Sequence, residues 1–175
     1  MFQVNDVIIY GAQGVCIIAG IEEKNDNGVP KSYFILKPVN DKGATIFAPT
    51  DNELVRRKMR RLLTKDEIHK LIDSMPEESP VWVVNENERK ELYKNILTKG
   101  DHIELIKMLK AIYAHKQECE AAGKHLHMSD DRFFKDAEKI LYNEFQYVLN
   151  LQGRNDLMAY ILERIETQKQ QKGGG

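Results

Sequence analysis

Residues 4–28 read Val4-Asn5-Asp6-Val7-Ile8-Ile9-Tyr10-Gly11-Ala12-Gln13-Gly14-Val15-Cys16-Ile17-Ile18-Ala19-Gly20-Ile21-Glu22-Glu23-Lys24-Asn25-Asp26-Asn27-Gly28. Apolar residues alternate at Val7 and Ile9, then at Val15, Ile17, Ala19 and Ile21, the period of half-buried strands. Gly11 and Gly14 punctuate the first pair, and Asn25-Asp26-Asn27-Gly28 is a turn signal. Downstream, Tyr33-Phe34-Ile35-Leu36 continues the pattern. After Asp41-Lys42-Gly43, the segment Ala44-Thr45-Ile46-Phe47-Ala48 is closed by Pro49. Residues 1–56 are thus expected to hold five short strands, enough for a small, strongly bent sheet or barrel of the SH3-like or Tudor-like kind.

From Leu63 the period becomes helical. Thr64 with Glu67 three residues on forms a capping box, and the helix it starts should bury Ile68, Leu71 and Ile72 before Met75-Pro76 ends it. Gly100 stops one helix and Asp101, with Glu104, caps the next. That next helix aligns Leu105, Ile106, Leu109, Ile112 and Tyr113. Ser129 is expected to cap a helix striped with Phe133, Phe134, Ala137, Ile140, Leu141, Phe145 and Val148, ended by Gly153. Leu157, Met158, Ile161 and Ile165 mark the last helix, and the tail from Gln168 lacks an apolar face and is expected to fray. The fold class is therefore α+β in two domains, a β module over 1–61 and an all-α bundle of about five helices over 62–172.

The chain has 175 residues, 42% of them hydrophobic, and 26 Lys plus Arg against 27 Asp plus Glu. A net charge of −1 argues against autonomous tight DNA binding, because such affinity comes largely from neutralised phosphates. Neither a membrane-length apolar run nor the pattern of a signal peptide is present, so a cytoplasmic protein is expected. Cys16 and Cys119 stand in different halves and read as reduced, buried thiols.

The run Phe2-Gln3-Val4-Asn5-Asp6-Val7-Ile8-Ile9-Tyr10-Gly11, then Gly14-Val15, then Tyr33-Phe34-Ile35-Leu36-Lys37-Pro38-Val39, resembles the N-terminal module of the CarD family, which also occurs in the transcription-repair coupling factor. Gly100-Asp101 and the Ala137, Ile140-Leu141, Glu144-Phe145 helix are similar to the second domain of free-standing members. The resemblance implies a transcription regulator that binds the lobe of the RNA polymerase β subunit by adding a strand to its sheet, and that acts on promoter DNA at the upstream edge of the melted bubble. The matching strand is Thr45-Ile46-Phe47-Ala48-Pro49, with Lys24 on the neighbouring hairpin; Phe47 stands where some relatives place arginine. Ile46 and Phe47 also read simply as barrel residues. In such proteins a tryptophan wedges at the minor groove, and Trp82 is the only tryptophan here.

Trp82 reads equally as a structural anchor. Two helix starts compete around it: Ser79-Pro80, which puts it on the opening turn, and Asn85 with Glu88, which leaves it in the lead-in. Phosphate contacts are expected from Arg89, Lys90 and Lys94, and from Lys124, Arg132, Lys135 and Lys139. Interleaved Glu88, Glu91, Asp130 and Asp131 make a solvated charged face the alternative, so DNA binding is expected to be weak outside the polymerase complex. The run Arg56-Arg57-Lys58-Met59-Arg60-Arg61 reads as a phosphate or acidic-partner patch, as a solvated connector, or as arginines pairing with acids of the second half.

No nucleotide-binding loop, dinucleotide fingerprint or nucleophile elbow occurs, and the helicase segments of a full coupling factor are lacking. His125-Leu126-His127 with Cys119 lacks four-ligand spacing. No enzyme, cofactor or metal is expected, and a monomer is. Two other classes remain open. One is an adaptor whose helical bundle binds protein, and the other is a reader of modified side chains using Tyr10, Tyr33 and Phe47 as a cage.

Overall fold

Two long strands, Val15–Asp26 (β2) and Val29–Pro38 (β3), form the hairpin on which the N-terminal sheet is built. Asn27 and Gly28 take φ of 54° and 86°, the pair of positive values that a two-residue hairpin loop needs to follow the twist of its strands. Val7–Tyr10 (β1), Ile46–Pro49 (β4) and Met59–Arg61 (β5) complete an antiparallel five-stranded sheet of order β4-β3-β2-β1-β5. The computed structural model describes residues 1–80 and 82–174, and divides into two units, Met1–Leu63 and Thr64–Gly175.

Val15 is buried as expected, but after it the buried parity of β2 differs from the expected one. Cys16 and Ile18 are fully buried, whereas Ile17 and Ile21 are 37% and 50% exposed. Both parities of this strand are apolar, so alternation alone cannot choose between them. An irregularity between Ile18 and Gly20 shifts the register further along. The core gathers Ile8, Cys16, Ile18, Leu36, Ala48, Val55 and Met59, with Phe2, Tyr10, Phe34 and Ile46 packed around it. Truncating Ile18 or Leu36 to alanine would cost about 2–5 kcal/mol.

The basic run is not a connector. Asn52 accepts from the Leu54 and Val55 amides and starts a short helix, Glu53–Lys58 (α1), and the chain then enters β5, which pairs with β1 at Ile8↔Arg61 and Tyr10↔Met59. Met59 points into the core while its arginine neighbours stay on the rim.

The second unit has five helices among the described residues: Lys65–Ser74 (α2), Glu86–Lys99 (α3), His102–Ala121 (α4), Met128–Leu149 (α5) and Arg154–Gly173 (α6). The Thr64 and Glu67 capping box starts α2, a device worth about 1 kcal/mol. Gly100, at φ 67°, closes α3 in the left-handed conformation, and Asp101 accepts from the Glu104 amide to open α4. Tyr113, expected on the buried stripe of α4, is 54% exposed; Met108 and Ala111 take the buried positions instead.

Two helix ends also differ from expectation. α5 begins after His127, with Ser129 already in its first turn, and ends at Asn150 in the left-handed conformation. Gly153 is the N-cap of α6 rather than the stop of α5. The polar tail stays helical to Gly173, with Lys172 3.2 Å from Glu77; the last glycine lies outside the described residues. In the bundle, Glu144 is fully buried with its Oε2 3.1 Å from His102 Nε2. No helix among the described residues is long and apolar enough to cross a membrane.

Candidate functional site

β4 is an edge strand: among the described residues it pairs only with β3, at Tyr33↔Pro49, Phe34↔Ala48, Ile35↔Phe47 and Leu36↔Ile46. The Thr50 amide donates to the Ser32 carbonyl at 3.0 Å, which fixes the phase of the ladder. By the alternation of antiparallel pairs, Ala48 and Ile46 turn their backbone groups toward β3, and Phe47 and Pro49 turn theirs outward. Pro49 is tolerated because its missing N–H lies on the open side. Phe47 is then the strand residue that offers both an outward N–H and an outward carbonyl, the groups a further strand would use.

The side chains of this strand divide accordingly. Ala48 is fully buried and Ile46 packs on the core, while Phe47 is 43% exposed on the opposite face. Lys24, from β2, holds its ammonium 3.3 Å from the centre of the Phe47 ring. Thr45 precedes the strand, and its hydroxyl accepts from Lys37 Nζ at 2.9 Å. Tyr10, Tyr33 and Phe47 do not make one aromatic cage, since Tyr10 packs on the core and Phe47 lies outside it.

In the helical unit, Asn85 accepts from the Glu88 amide and is the N-cap of α3, so Trp82 lies in the lead-in and is half-buried. Its indole stacks on His115, with centroids 3.9 Å apart and planes 16° off parallel, and the Arg89 guanidinium sits 4.4 Å from its ring centre. His115 in turn has its Nε2 3.5 Å from Cys119 Sγ. Cys119 is half-buried rather than buried, and both cysteines are free.

Arg89 requires a correction. It is 5% exposed, donates through Nε and Nη2 to both oxygens of Asp130 at 2.9 Å, and through Nη1 to the Val83 and Val84 carbonyls. Sequence spacing put it on a solvent face; the structure puts it inside, where it ties the start of α3 and its lead-in to α5. This also removes Asp130 from the acids that dilute the surface. Lys90 pairs with Glu86 at 2.5 Å, Lys94 with Glu91 at 3.7 Å and Lys135 with Asp131 at 2.7 Å, while Lys124, Arg132 and Lys139 are exposed. Arg132 and Lys135 share a shallow groove with Lys116 and His125 between the end of α4 and the start of α5.

A search of curated proteins found no match. Residues 2–63 match the family model of the CarD-like/TRCF RID domain, and this span covers the whole five-stranded sheet and α1. The N-terminal unit is therefore a Tudor-like domain of the CarD-like/TRCF RID family, the RNA polymerase-interacting module.

Proposed function

We propose that the protein is a non-enzymatic transcription regulator that docks as a monomer on the lobe of the RNA polymerase β subunit through β4, in the cytoplasm, and modulates the stability of promoter open complexes through its helical unit. The observation that carries this reading is the open edge of β4 within the CarD-like domain, with the Phe47 backbone turned outward. Main-chain pairing supplies affinity and the alternate side chains supply selectivity. Trp82 is the wedge candidate at the upstream edge of the bubble, with Lys124, Arg132 and Lys139 as the exposed cations nearest to a phosphate role. Tethering by the polymerase supplies the effective concentration that a near-neutral chain lacks.

The test is binding of the full chain and of Phe47→Pro to an isolated β-lobe fragment at physiological salt. Proline at this position removes the outward N–H and leaves the β3 side of the ladder unchanged. Micromolar binding by the native chain that is lost in Phe47→Pro supports docking through the edge; no binding by either refutes it. Open-complex lifetime with Trp82→Ala then tests the helical unit.

A second reading, an adaptor whose helical unit binds protein, is favoured by one observation. Three of the six basic candidates on α3 and α5, Lys90, Lys94 and Lys135, already pair with acids of their own helix, and Arg89 is taken up by Asp130. A native chain that binds polymerase yet leaves open-complex lifetime unchanged on every promoter tested would favour it.

A further inference from the structure

The outer face of the β4 edge is electropositive in a specific way. Opposed pairs place Ile35 with Phe47 and Tyr33 with Pro49 on that face, and the ladder continues it to Lys37 and Thr45. Lys24 lies over one side of the Phe47 ring, and Lys37 is held by the Thr45 hydroxyl two residues away. Among the described residues neither ammonium is in an ion pair, whereas Lys31, further out on the hairpin, is tied to Asp26 at 2.6 Å. Glu22, opposite Tyr33, and Asp26, taken up by Lys31, are the acids of β2 on this face. The core-facing side of the same strand is different. There a cavity of about 610 Å³ is lined by Phe2, Ile21, Phe34 and Met59 together with the charged Asp51 and Arg56.

A strand added beside β4 has its residue opposite Phe47 on the lysine side, and its neighbours opposite Ile46 and Ala48 on the cavity side, because side chains alternate across a strand. We propose, resting on the docking reading above, that the strand β4 receives carries an acidic residue opposite Phe47 flanked by apolar residues, the one opposite Ala48 reaching toward the cavity. The acid meets Lys24 and Lys37, and the apolar neighbour opposite the small Ala48 packs across it toward the partly buried Phe34. The occupant is thus an extended apolar–acidic–apolar segment of a protein. Pro49 and the Pro30 of the hairpin limit how far pairing runs, which makes the Phe47 position the one that sets register.

The experiment uses the full chain with three soluble β-hairpin peptides that differ only in their edge strand: valine–glutamate–valine, valine–lysine–valine and serine–glutamate–serine. RNA polymerase core enzyme is titrated in parallel. Expected is a preference of about tenfold for the valine–glutamate–valine strand over each of the others, with the preference over lysine abolished in Lys24→Glu/Lys37→Glu. Equal binding of the three hairpins, no binding of any, or a glutamate preference that survives the double substitution overturns the proposal. Polymerase binding without a glutamate preference leaves the docking reading standing and removes this one. A glutamate preference without polymerase binding does the reverse.

Discussion

Arg89 and Asp130 form a two-pronged ion pair, 2.9 Å at both contacts, although 41 residues separate them and both are almost fully buried. Burying either charge alone is costly, so Asp130→Ala should lower stability by about 3–5 kcal/mol. Arg89→Lys should not restore it, because an ammonium cannot make the parallel fork. Equilibrium denaturant unfolding measures both. A loss under about 1 kcal/mol in Asp130→Ala would contradict the burial described.

Trp82 has two aromatic or cationic neighbours, His115 and Arg89. Trp82→Ala should cost about 1–3 kcal/mol from lost stacking and cation–π contact. Trp82 is also the sole tryptophan, so His115→Ala should change the intrinsic emission while leaving far-UV circular dichroism unchanged. An emission spectrum identical to the native one would refute the stacking.

The Tyr93 phenol is buried without a hydrogen-bond partner among the described residues, and burial pushes its pKa up to about 12. Its ring meets Phe133 edge-on at 5.6 Å, an interaction that phenylalanine keeps. Tyr93→Phe should therefore be neutral or stabilising, by up to about 1 kcal/mol, since it removes a polar group whose desolvation nothing offsets. A thermal melt decides the sign.

The two thiols should differ sharply in reactivity. Burial pushes Cys16 up to about 11, and the residue is inaccessible, so its nucleophilic thiolate is scarce at neutral pH. Cys119 is half-buried beside His115. Brief iodoacetamide treatment of the native chain, read by peptide mass spectrometry, should label Cys119 and spare Cys16 until denaturant is added.

His69 is held below its ordinary value of 6.5, first by burial, then by Arg164 and Lys65. The unfolded chain takes up the proton more readily, so this contribution to stability is complete above pH 6.5 and is lost as pH falls through the lower folded value. His69→Gln should flatten the fall of Tm between about pH 7 and about pH 5 relative to the native chain. A parallel shift of both curves would exclude the titration of His69 as its cause.

The strand periods, the Asn27-Gly28 turn, the Thr64 capping box and the Gly100-Asp101 junction are local signals, and each was legible in the sequence. What escaped was non-local. β5 is hidden because three of the four residues Lys58 to Arg61 are basic and advertise a surface, while only Met59 enters the core. The parity of β2 escaped because Cys16, Ile17 and Ile18 are all apolar and only the register with β3 decides between them. Arg89 looked like one of several surface cations, and nothing within a helical turn of it announces Asp130. For β4 the segment was legible, but which residue turns outward depends on the phase fixed by Thr50 and Ser32.

The pairing of β5 with β1 carries a consequence for the genetics of this chain. A stop codon or protease cut just after Pro49, where the obvious strands end, would yield a fragment that has every predicted strand and still lacks one border of its sheet. Val55 and Met59 would be missing from the core, and the backbone of β1 would be laid bare to neighbouring molecules. Such fragments should accumulate as aggregates, whereas fragments that reach Leu63 should stay in solution.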